Sequence, residues 1–127
     1  MEGGRVSLRG RGLGMLPPLP EDVRLLDVGE NDLTALPALP SVRVLLAGGN
    51  FLSVGALERI SRHGSSIEAL EVDENSLSGP LLPLDRMPRL QFLSLRKNSL
   101  SGLTGLSRCA PALRVLLLDG NTVEGRL

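Results

Sequence analysis

Aromatic residues are almost missing from this chain: two Phe, no Tyr and no Trp in 127 residues. One cysteine, Cys109, rules out an internal disulfide. One histidine, His63, leaves no His-based metal cluster, and no acid, base and nucleophile constellation is visible. An enzyme is therefore not expected, nor a cofactor or a metal. Charge is balanced, 14 basic against 14 acidic residues, so nothing global attracts nucleic acid or an anionic membrane. No apolar run reaches the roughly 20 residues of a membrane span. Met1-Glu2-Gly3-Gly4-Arg5 leads into no signal-peptide core. These absences point to an intracellular, cytoplasmic setting.

What is abundant is leucine, at 29 positions, and it is spaced regularly. In Ile67-Glu-Ala-Leu70-Glu-Val72-Asp-Glu-Asn75-Ser-Leu77, apolar residues hold the first, fourth, sixth and eleventh places and Asn the ninth. The same spacing recurs from Val23 through Asn31 to Leu33, from Val42 through Asn50 to Leu52, from Leu90 through Asn98 to Leu100, and from Leu113 through Asn121 to Val123. A degenerate copy carries Val6, Leu8 and Leu13, with Arg11 in the place of Asn. The starts at 23, 42, 67, 90 and 113 give periods of 19, 25, 23 and 23. Self-similarity at such periods marks a repeat architecture. Alternation through Leu70 and Val72 is the period of a half-buried strand.

The pattern L-x-x-L-x-L-x-x-N-x-L resembles the leucine-rich repeat family. The resemblance implies an α/β fold. It would be a right-handed solenoid of about six repeats, with a parallel sheet on its concave face and a mostly irregular convex side. One domain spans 1–127: a degenerate first repeat over 1–22, then repeats at 23–41, 42–66, 67–89, 90–112 and 113–127. The subclasses are mixed. Leu16-Pro-Pro-Leu-Pro20 and Leu36-Pro-Ala-Leu-Pro40 resemble the short Leu-Pro repeats of bacterial effectors. Leu77-Ser-Gly-Pro80, continuing through Leu82 and Pro83, resembles the plant-receptor type, which returns only as Leu100-Ser-Gly.

Each copy is too short to bury its own apolar residues, so stacking must do it. Leu26, Leu45, Leu70, Leu93 and Leu116 should form one buried row. Val28, Ala47, Val72, Leu95 and Leu118 should form a second, and Leu33, Leu52, Leu77, Leu100 and Val123 a third. Where the chain leaves each strand, backbone groups need partners. The amides of Asn31, Asn50, Asn75, Asn98 and Asn121 can supply them as a structural ladder. The return segment Ser53–Gly64 has the marks of a helix near 53–63. Ser53 can cap it, Val54, Leu57 and Ile60 share a face, Arg59, Arg62 and His63 suit its end, and Gly64 fits the stop. Gly10-x-Gly12-x-Gly14 misses a dinucleotide fingerprint because Met15 fills the third glycine place. Cys109 reads as a buried small residue.

Residues between the buried rows should point to the other face. One column reads Leu25, Val44, Ala69, Phe92, Val115 and the next Asp27, Leu46, Glu71, Ser94, Leu117. An exposed apolar column suggests a protein-binding strip. The candidate binding residues are Leu25, Val44, Leu46, Glu71, Phe92, Arg96, Lys97, Val115 and Leu117. Phe92 is the anchor, and Gly48-Gly49 leaves a notch beside it. Glu68, Glu71, Asp73 and Glu74 should face Arg96 and Lys97 across strands. The last repeat carries no cap before Leu127, so its edge should pair with a second copy or a partner, or the sequence is a piece of a longer protein. The function expected is a non-enzymatic protein–protein interaction module, a subunit or regulator of a larger intracellular assembly. The alternative is a repeat fragment of a multidomain receptor or effector whose activity lies outside this chain.

Overall fold

A computed structural model describes residues 4–81 and 84–124. Readings that fall on Met1, Leu82, Pro83 and Leu127 lie outside the described residues. Every copy of the repeat contributes one three-residue strand to a parallel sheet. The strands are β1 (Arg5–Ser7), β2 (Leu25–Asp27), β3 (Val44–Leu46), β4 (Ala69–Glu71), then β6 (Phe92–Ser94) and β8 (Val115–Leu117), hydrogen-bonded in the order β1-β2-β3-β4-β6-β8. Two further strands, β5 (Ser78–Pro80) and β7 (Ser99–Gly102), form a separate parallel pair built from the two Leu-Ser-Gly segments. The chain is thus an α/β protein with a six-stranded parallel sheet and few helices.

The register follows the sequence template without a slip: Val6, Leu26, Leu45, Leu70, Leu93 and Leu116 are successive Cα partners. A one-residue shift would move every leucine of this row to the other face. From β2 to β6 this row and the next, Val28, Ala47, Val72 and Leu95, are sealed from solvent, as are Leu33, Leu52, Leu77 and Leu100. Burying each leucine is worth about 1.5–3 kcal/mol. At β8 the expectation of full burial fails: Leu116, Leu118 and Val123 are only partly buried. Strand β8 is at the sheet's margin and has a neighbour on one side only among the described residues.

Strands end early because the chain turns after the sixth template position. The eighth position takes positive φ in every copy from β2 to β8: Glu30 at 55°, Gly49 at 70°, Glu74 at 51°, Lys97 at 55° and Gly120 at 79°. For the three that carry a Cβ, this conformation costs roughly 1–2 kcal/mol each. The asparagines then close the turns. Asn50 Oδ1 accepts from the Leu33 amide at 3.0 Å, and its Nδ2 donates to Val28 O and Ala47 O at 3.0 and 3.1 Å. Asn98 Oδ1 accepts from the amides of Asn75 and Leu77, and its Nδ2 donates to the carbonyls of Val72, Leu95 and Arg96. Asn31, Asn75 and Asn121 bond their own turn and the preceding one in the same way. Each amide therefore ties one strand exit to its predecessor. In the first copy only backbone takes part: the Arg11 and Leu13 amides donate to Asn31 Oδ1.

On the return side, helix α1 (Val54–Arg62) starts at Ser53, whose hydroxyl accepts from the Ala56 amide. Leu57 and Ile60 enter the core. Gly64 is needed for closeness rather than for left-handed backbone. A Cβ there would stand 2.7 Å from Ile60 O and 3.0 Å from Ile67 Cδ1 and Met87 Cε. A second helix, α2 (Leu106–Cys109), is not foreseen by the pattern and corrects the expectation of one. It is a single turn, too short to show a period, and Pro111 follows closely. The Leu-Pro segments form neither helix nor strand; prolines without N–H groups disfavour both. Among the described residues no helix is long and apolar enough to cross a membrane.

Candidate functional site

Because the leucine row faces the core, the residues on either side of it line the sheet's open face. Two columns result, each a run of Cα partners. One is Arg5, Leu25, Val44, Ala69, Phe92, Val115; the other is Ser7, Asp27, Leu46, Glu71, Ser94, Leu117. Neighbouring members stand roughly 4.8 Å apart. Leu25, Val44, Leu46, Glu71, Phe92 and Leu117 are half-buried, and Val115 at the margin is 43% exposed. The face is therefore a continuous strip, apolar along one column from Leu25 to Val115 and mixed along the other. Ser94 departs from the outward reading. It is buried, and its hydroxyl donates to Asp73 Oδ1 at 2.6 Å.

The expected notch at Gly48-Gly49 is closed. A Cβ on Gly48 would come 2.7 Å from Glu71 Oε1, and one on Gly49 would come 2.5 Å from Glu30 Oε1. Carboxylates from the two flanking strands fold into the space that the missing side chains leave. Gly29 is covered likewise by the Arg9 guanidinium. Arg9 Nη1 lies 3.3 Å from Asp27 Oδ1 and Arg9 Nη2 3.8 Å from Glu30 Oε1, with the arginine side chain half exposed. Burial first, then the neighbouring Asp73 charge, pushes the Glu71 carboxyl above its ordinary value. Arg9 opposes the rise, Asp27 adds to it, and the Gly48 amide opposes it.

The cross-strand pairing expected for the charges occurs at one position and shifts at another. Lys97 Nζ lies 3.6 Å from Glu74 Oε1. Arg96 turns instead toward the next strand exit, its Nε 3.6 Å from Asp119 Oδ2, and only its backbone amide bonds Asp73 Oδ1. Asp73 is thereby committed to Ser94 and Arg96. Among the described residues no three of His, Cys, Asp and Glu gather in a metal-holding group. His63 stands exposed as the C-cap of α1. The Cys109 thiol is buried, donates to Leu106 O and is pushed upward in pKa by burial.

Three residues escape a reading of the sequence. Arg9 sits in the degenerate copy, where the template assigns no role. Asp27 reads as one of many outward residues, although its carboxylate also accepts from the Gly29 amide at 3.0 Å. Phe51 is 55% exposed. Its signal was available, because it fills the variable tenth place that is polar in the other Asn-bearing copies: Asp32, Ser76, Ser99 and Thr122. Away from the sheet, Leu16–Pro20 and Pro37–Val42 enclose an apolar groove of about 830 Å³ with Met15 on its rim. Comparison with family models and with curated proteins finds no match.

Proposed function

We propose that this chain is a leucine-rich-repeat solenoid that binds a partner protein along its open, concave sheet face and catalyses nothing itself. The solenoid reading is supported by the one-strand-per-copy register and by the asparagine amides that join each turn to the one before. The observation that carries the binding reading is the in-register apolar column Leu25, Val44, Ala69, Phe92, Val115, on a sheet whose strands pack extensively, among the described residues, against no helix. Such a column loses water on contact with an extended partner segment, at about 25 cal/mol per Å² of apolar area. Phe92, flanked by Ala69 and Val115, offers the largest single contact. The sole histidine and the sole cysteine stand apart from this face, one capping α1 and one inside α2.

Phe92→Glu places a charge in the middle of the column. Capture of a native-cell partner should be lost while circular dichroism stays unchanged. Arg59→Glu on the exposed side of α1 should leave capture intact. Retained capture by Phe92→Glu together with loss by Arg59→Glu moves the site to the helix side.

A further inference from the structure

The second column of the open face has a composition that selects among partners. Asp27, Leu46 and Glu71 are Cα partners on three adjacent strands. An aliphatic residue is thus bracketed by two carboxylates whose backbones stand roughly 9.6 Å apart, two strand spacings. Beside them lie two more carboxylates: Glu30, which Arg9 also reaches, and Asp73, whose charge acts on Glu71. The cations on this margin are used locally: Lys97 faces Glu74, and Arg96 faces Asp119. Glu71 has no ion pair among the described residues, although it is half-buried and repelled by Asp73 and Asp27.

One cation already shows what suits this place. Arg9 reaches from the first copy over the bare Gly29 to Asp27 and Glu30, at 3.3 and 3.8 Å. Its grip is loose and its side chain half exposed, so exchange with a competing cation is inexpensive. A long basic side chain has the matching form: a methylene stem for Leu46 and a charged head for the carboxylates on either side. An acidic segment or a nucleic-acid backbone would meet like charge here.

We propose that the partner is a basic extended segment whose arginine or lysine lies along Leu46 between Asp27 and Glu71, displacing Arg9, while its apolar side chains rest on Val44 and Phe92. This rests on the reading of the open face as the binding surface. Arg9 then holds one flank of the seat, the Asp27 carboxylate, and lowers the apparent affinity for the partner.

The test uses the full chain and two capped, fluorescein-labelled hexapeptides, Leu-Arg-Leu-Arg-Leu-Arg and its counterpart with Glu for each Arg, read by fluorescence polarisation. The arginine peptide should bind and the glutamate peptide should not. Removing or freeing one exposed pair is worth about 0.2–1 kcal/mol, which is about 1.4- to 5-fold in Kd. Glu71→Gln should weaken the arginine peptide by that factor, and Arg9→Ala should tighten it by the same factor. Glu74→Gln changes net charge equally but lies at the Lys97 pair, and it should change Kd less than Glu71→Gln. In carboxyl-carbon NMR, the Glu71 pKa should fall when the arginine peptide is added and rise in Arg9→Ala. Equal weakening by Glu74→Gln and Glu71→Gln overturns the seat, since attraction would then be general. Loss of binding in Phe92→Ala with no response to Glu71→Gln or Arg9→Ala overturns it too, while the open-face reading stands. No binding of either peptide overturns it as well, and the Phe92→Glu capture experiment then decides the face separately.

Discussion

Truncating Asn98 to Ala should cost more stability than truncating Asn50, and the reason can be followed atom by atom. The Asn98 side chain makes two kinds of bond. Its Nδ2 donates to Val72 O, Leu95 O and Arg96 O, each at 3.1 Å. All three carbonyls have a second donor: Asn75 Nδ2 at 3.0 Å, Asn121 Nδ2 at 2.6 Å and the Glu74 amide at 2.9 Å. They stay paired in Asn98→Ala. The amides of Asn75 and Leu77 do not, because Asn98 Oδ1 is their acceptor at 3.0 and 3.3 Å. Two orphaned N–H groups cost about 1–3 kcal/mol each, so about 2–6 kcal/mol together. Asn50→Ala orphans only the Leu33 amide, for about 1–3 kcal/mol. Urea unfolding followed by circular dichroism measures both, and a domain holding about 5–15 kcal/mol resolves them. The reasoning is refuted if Asn98→Ala loses no more stability than Asn50→Ala.

Two further changes test the turns and the charges. Glu74→Gly removes the left-handed strain at φ 51° but adds chain entropy and drops an exposed ion pair, so the terms nearly cancel and stability should change by less than about 1 kcal/mol; a larger loss in urea unfolding would contradict the strain. Glu71 has a folded pKa above its ordinary 4.5, so its contribution to stability is complete below that value and is lost as pH rises through the raised one. Glu71→Gln should flatten this decline above pH 4.5 in urea unfolding at stepped pH; an unchanged slope would assign the decline to other groups.

Strand positions were legible because the period of two in Val44-Leu45-Leu46 or Phe92-Leu93-Ser94 is short-range information, and the ninth-place Asn marks where each strand stops. Helix α1 was legible for the same kind of reason, with Ser53 ahead of Val54, Leu57 and Ile60. What lay hidden depends on reach between copies. Glycines at 48 and 49 read as empty space, yet the absence of a Cβ is what lets Glu71 and Glu30 fold over them. Arg9 has no place in the template, and its contact with Asp27 exists only because Gly29 leaves room. Arg96 and Lys97 are adjacent in sequence but leave their turn in different directions, so one faces Glu74 and the other Asp119. Helix α2 is a single turn and leaves no periodic trace.

The most direct measurement is backbone amide mapping of the nitrogen-15-labelled chain on addition of the arginine hexapeptide. The account predicts shifts concentrated on the open face, at Val44, Leu46, Glu71, Phe92 and Val115, with Arg9 moving as its seat is taken. Shifts confined to the Leu16–Pro20 groove or to α1 would contradict it.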